Sequence, residues 1–205
     1  MKQFIKEIPP ITRCITITSV LLYLITILFF AFDINLIKVF GLYSIESDNF
    51  NLYQIVTYSF IHAIDPHHLL WNITTFLIYG TICEKFIKRN NYILLILFTI
   101  ILNAIVINFV FVRETQHCLG LSTIGFSLSV IFILIKNDLN KVLSFSLKLI
   151  ALLMIVDELT VFATNTTYDP SVIHVTGIVS GIIFYICYFL HKKRKSIKLP
   201  FLRYM

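Results

Sequence analysis

Apolar stretches of the length a membrane-spanning helix needs, roughly 20 residues, recur along nearly the whole chain with short polar and basic blocks between them. The pattern predicts an all-α membrane protein with six spans, at about 15–32, 67–84, 91–112, 119–135, 143–163 and 171–190. The fourth is short, bounded by His117 and Cys118 on one side and by Lys136, Asn137 and Asp138 on the other. It is expected to start below the membrane surface. This leaves a single membrane domain, about 15–190, between an N-terminal segment 1–14 and a basic tail 191–205. The first apolar run follows Lys2, Lys6 and Arg13 but is long and has no small-x-small cleavage site, so it is expected to remain attached as a helix.

Composition agrees with lipid as the solvent. Apolar residues make up 58% and charged residues 14% of the chain, against roughly 45–50% and 25% in soluble domains. The formal charge of +6 does not point to nucleic acid, because the basic residues sit in short blocks between apolar runs and form no continuous face. They set topology instead. With the N-terminus inside, fifteen of the seventeen lysines and arginines fall on the inner side, and only Lys38 and Arg113 lie outside. Both termini are then cytoplasmic, and the tail His191-Lys192-Lys193-Arg194-Lys195 holds the C-terminus inside and touches anionic lipid. The longest connection, about 33–66, is outside and rich in aromatic rings that favour the interface. Cys14, Cys83, Cys118 and Cys187 have no C-x-x-C spacing and read as packing residues.

Polar side chains inside a span are costly, so each is a candidate for function. His68 and Asn72 in the second span, Ser122 in the fourth and His174 in the sixth all fall in the first turns of spans that run from outside to inside. They therefore lie at similar depth. A serine hydroxyl becomes a useful nucleophile when a base such as imidazole takes its proton, and the tetrahedral intermediate needs donors where its oxyanion forms. His68 and Asn72, four apart, share one helix face and can donate, as can the free backbone N–H of Ser122 at a helix start. Five of six glycines, Gly80, Gly120, Gly125, Gly177 and Gly181, occupy the same three spans. Gly177 and Gly181 form a G-x-x-x-G that permits close backbone approach, which would bring Ser122 to His174.

These residues resemble the signature of the rhomboid family of intramembrane serine proteases. The stretch Tyr53 to His62, then His68-Leu69-Leu70-Trp71-Asn72, Gly80 and Glu84, resembles the family's second helix. Gly120-Leu121-Ser122 resembles the start of its G-x-S-G, with Thr123 where a glycine usually follows. His174-Val175-Thr176-Gly177-Ile178-Val179-Ser180-Gly181 resembles its H-x-x-G-x-x-x-G. The resemblance implies a six-helix bundle, Ser122 as nucleophile, His174 as base in a dyad without a carboxylate, and His68 with Asn72 as the oxyanion pair. It also implies single-span membrane proteins as substrates and no metal or organic cofactor.

Other readings are weighed beside this one. Ser127 sits deeper than Ser122 and out of phase with it. His62, His67 and His68 could suggest a metal, but no second set of ligands accompanies them. Asp157 and Glu158 read as a structural pair at the end of the fifth span, with a proton relay as the alternative. Asn165-Thr166-Thr167 fits a glycosylation acceptor. At the level of the whole protein, the rivals are an inactive rhomboid-like binder of transmembrane helices, favoured by Thr123, and a transporter around His68, Asn72 and Asp157, for which no inverted repeat is visible. The expected location is the cell membrane, as a multi-pass protein.

Overall fold

The computed structural model describes residues 8–109, 118–164 and 171–198, with side chains as far as Tyr188. His117, Arg113 and the Asn165-Thr166-Thr167 sequon lie outside the described residues. These residues form eight helices and no strand. Five are long: α1 (Pro10–Phe30), α4 (Pro66–Phe86), α5 (Arg89–Phe109), α7 (Lys141–Thr164) and α8 (Ser171–Lys198). Two short helices, α2 (Leu36–Phe40) and α3 (Gln54–Thr57), interrupt the connection between α1 and α4, and α6 (Ser122–Leu134) is the short apolar one. Six of the eight overlap the six apolar stretches of the sequence, and α2 and α3 are additions. Pro10–Phe30, Arg89–Phe109 and Ser171–Tyr188 are long and apolar enough to cross a membrane.

Two boundaries differ from expectation for identifiable reasons. α1 starts at Pro10 and not near residue 15, because Glu84 of α4 caps it. The Glu84 carboxylate accepts from Ile11 N (3.0 Å), Thr12 N (2.7 Å) and the Thr12 hydroxyl (2.7 Å), satisfying N–H groups that a helix start leaves open and placing negative charge at the positive end of the dipole. α8 runs on through the basic segment to Lys198, so the tail is helical over that stretch. Glu84→Ala should lower stability by about 3 kcal/mol, since it strips three charge-assisted bonds from a buried helix start. Glu84→Gln, which keeps an acceptor, should cost less, and thermal unfolding in detergent micelles ranks the two.

α6 is the centre of the bundle. Ten consecutive residues, Thr123 to Phe132, are buried, with α4, α5, α7 and α8 packed around them. Small residues allow this. A Cβ on Gly177 of α8 would lie 2.3 Å from the Thr123 carbonyl oxygen, and one on Gly181 would lie 2.7 Å from that of Ser127, so α6 and α8 touch backbone to backbone. Polar links complete the packing. Thr99 donates to Ser127 Oγ at 3.1 Å, and Tyr79 donates to the Leu147 carbonyl at 3.3 Å. The C-terminal end of α6 is closed by Lys148, which donates to the carbonyls of Ile133 (2.8 Å) and Ile135 (2.9 Å), a cation on the negative end of the dipole. Lys148 therefore has a structural role beyond the topological one read from the sequence.

The outer surfaces of α1 and α7 are strongly apolar. Leu21, Leu24, Leu28, Leu149, Leu152, Leu153 and Val156 are all exposed, whereas α7 buries only Ala151 and Ile155. An exposed apolar area of this extent calls for lipid or a partner.

Candidate active site

The segment that leads into α6 is pinned by the connection between α1 and α4. Leu42 and Cys118 exchange both backbone bonds, at 3.0 and 2.9 Å, and Gly120 N donates to the Tyr58 carbonyl at 2.9 Å. Tyr58 is itself fully buried, donating to the Ile100 carbonyl (3.1 Å) and accepting from Asn103 (3.0 Å). The chain then turns at Gly120, whose φ of +100° suits glycine and few other residues. Ser122 follows as the first residue of α6, where its N–H has no intrahelical acceptor.

Against this turn stand the two polar residues of α4. A Cβ on Gly120 would meet His68 Cε1 at 3.2 Å and Asn72 Nδ2 at 3.3 Å, so both side chains face the residues just before Ser122. Asn72 is buried and spends one amide hydrogen on the His68 carbonyl (3.0 Å). Its second remains. His68 Nδ1 is buried and has no hydrogen-bond partner among the described residues.

From the other side, α8 brings His174. Its ring stacks on Phe126 with centroids 4.7 Å apart and planes 28° from parallel. Phe126 and Ser122 are four residues apart, hence on one face of α6, so His174 lies along the face that carries Ser122. His68, Asn72 and Gly120 gather with Ser122 at the N-terminal end of α6, with Gly177 against Thr123 and His174 on Phe126, whereas Gly181 packs further along α6, against Ser127 and Val130. Ser127 does not join them; it is fully buried and occupied by Thr99. Of the two other histidines near the site, His67 is exposed, and His62 lies with its ring centroid 5.7 Å from that of His68.

One feature departs from the sequence reading, and it is a carboxylate. Glu158 Oε1 lies 2.9 Å from His174 Nδ1, while Asp157 is exposed, so the two acids are not a pair. The pairing follows from helix phase: Ala151, Ile155 and Glu158 fall at i, i+4 and i+7, one stripe of α7, and Asp157 is off it. The approach is a close polar contact and not a linear hydrogen bond, since the carboxylate lies off the N–H direction. Thr123, which follows the serine, is buried with its hydroxyl unpaired among the described residues, and the close crossing is made by Gly177 across from it.

His62 is fully buried, and neither ring nitrogen has a hydrogen-bond partner among the described residues. Burial, reinforced by His68 and partly offset by the Phe60 carbonyl, pushes its pKa from 6.5 down to about 4. Between those values the unfolded chain binds a proton that the folded chain does not, so stability falls as pH drops through the window. The expected slope is about 1.4 kcal/mol per pH unit. It should be reduced in a folded His62→Leu variant when melts from pH 6.5 to pH 4 are compared, and equal slopes would remove His62 from the acid response.

These elements define an integral membrane protein, a helical bundle built around a short buried helix with a serine at its start and histidines on two flanking helices. The Rhomboid domain family model matches residues 49–196, and the chain belongs to the rhomboid family. No individual curated protein matches it.

Proposed function

We propose that this protein is an intramembrane serine endopeptidase that cleaves single-span membrane proteins. It spans the cell membrane six times with both termini cytoplasmic, Ser122 is its nucleophile, His174 its base, and His68 and Asn72 its oxyanion donors. The observation that carries this reading is the backbone contact of Gly177 with Thr123 together with the stacking of His174 on Phe126, which sets an imidazole on the serine face of α6.

The chemistry follows from these positions. As Ser122 Oγ bonds to the scissile carbonyl carbon, its proton passes to His174 Nε2, and the carbonyl electrons move onto oxygen. His68, the free hydrogen of Asn72 and the Ser122 N–H stabilise that charge. Collapse breaks the C–N bond, and His174 returns the proton to the departing amine. Water, activated by the same imidazole, then releases the acyl group. The substrate helix must unwind locally, because a regular helix keeps its carbonyls bonded.

The test is incubation of the purified full chain in liposomes with a single-span substrate, with product mapping by mass spectrometry and a fluorophosphonate probe to mark the nucleophile. Cleavage within or beside the span, with the probe on Ser122, is the expected result. A wild type that binds such substrates, leaves them intact and takes no probe is instead an inactive helix-binding member, the reading that Thr123 favours.

A further inference from the structure

His174 has two ring nitrogens, and a general base needs one of them free. Which one carries the proton is decided by what the other meets. Here Nδ1 meets the Glu158 carboxylate at 2.9 Å. Three elements surround the ring: α7 supplies Glu158, α6 supplies Phe126 against the ring plane, and α4 supplies His68, close enough to interact electrostatically. Among these neighbours Glu158 is the anion.

We propose that Glu158 is a positioning residue for His174: its carboxylate keeps the proton on Nδ1, leaves Nε2 as the basic atom, and offsets the imidazolium that forms during proton transfer. This extends the dyad to a carboxylate-assisted triad drawn from α6, α7 and α8. The inference rests on the serine-protease reading above.

Position argues against a merely structural pair. A carboxylate in an apolar helix is costly, and α7 has few other buried groups for it to support. Glu158 nevertheless continues the packing stripe of Ala151 and Ile155 and ends on an imidazole nitrogen. Both side chains are about one-fifth exposed, at 20% and 19%, so solvent screens the pair and the expected effect is smaller than for a buried, linear one.

The experiment uses the full chain in detergent, with Glu158→Gln, Glu158→Asp and Glu158→Ala beside an Asp157→Asn control. Two readouts are taken. One is kcat and KM on the single-span substrate, and the other is the 15N spectrum of histidine-labelled protein, with His174→Gln assigning the His174 signals. In Glu158→Ala and Glu158→Gln, kcat should fall roughly tenfold to a hundredfold, less than the whole contribution of a general base, with little change in KM. Glu158→Asp should recover part of the loss, and Asp157→Asn should behave as wild type. The share of His174 protonated on Nδ1 should drop in Glu158→Gln. An unchanged tautomer overturns the proposal, as does a folded Glu158→Gln with wild-type kcat. If the wild type is inert towards substrate and probe while the tautomer still depends on Glu158, the protease reading fails and the positioning contact stands.

Discussion

Ser122→Ala and His174→Ala will each reduce single-turnover cleavage by roughly a thousandfold or more, and the double variant will be no worse than either alone. Nucleophile and base act as a unit, so removing one already forfeits what both supply. The oxyanion donors are expected to behave differently. His68→Ala and Asn72→Ala each remove one donor of several, and a single such donor is worth roughly a hundred- to a thousandfold. Asn72 should fall at the low end, because one of its hydrogens is already bonded to the His68 carbonyl and only the other can follow the developing charge. Ser127→Ala is the informative contrast. It loses the Thr99 bond, about 1 kcal/mol of stability, and should leave the chemical step intact. If Ser127→Ala abolished cleavage of a folded enzyme while Ser122→Ala did not, the nucleophile would be misassigned.

The sequence carried most of this site because its signals are local. His68 and Asn72 share a face by virtue of a four-residue spacing, the G-x-x-x-G after His174 announces a close crossing, and the shortness of the apolar run around 119–135 announces the short helix α6. What it did not carry is non-local. Lys148 reads as one more inner charge until the end of α6 is seen beneath it, with two carbonyls accepting from the ammonium. Nothing near Leu42 or Tyr58 says that they will hold Cys118 and Gly120, because those partners are about sixty or more residues away and the bonds are backbone bonds, indifferent to side-chain identity. Glu158 lies between the two cases. Its phase with Ala151 and Ile155 is visible in the sequence, but which stripe of α7 faces inward is not, as that helix is apolar nearly all round.

Thr123 illustrates how a local departure is absorbed. In the family pattern the position after the serine is glycine, which suggests that two backbones need room there. In this chain the room is on the other helix: the Thr123 carbonyl sits against Gly177, so the side chain at 123 can point into the buried flank of α6 while the crossing stays close. The requirement is met by one glycine of the pair, and it makes Gly177 the more sensitive position.

Gly177→Ala is therefore expected to be more damaging than Gly181→Ala or Gly125→Ala. The added Cβ would lie 2.3, 3.0 and 3.1 Å from the Thr123 O, C and Cα, all backbone atoms that no rotamer change can move. α6 and α8 must separate by about 1 Å to restore van der Waals contact, which costs roughly 1–3 kcal/mol as overpacking. It also draws His174 away from the face of α6 that carries Ser122, and a displacement of about 1 Å in a reacting pair costs on the order of a hundredfold in rate. Gly181→Ala should be milder, with 2.7 Å to the Ser127 oxygen and the site more than a turn away. Gly125→Ala meets only the Thr75 side chain, at 3.1 Å, and a small shift of that methyl relieves it. Melting temperature and cleavage rate measured on the three variants should both rank Gly125→Ala nearest wild type and Gly177→Ala furthest from it. A Gly177→Ala protein with wild-type stability and rate would mean that α6 and α8 are not in backbone contact at Thr123, and the placement of His174 beside Ser122 would fall with it.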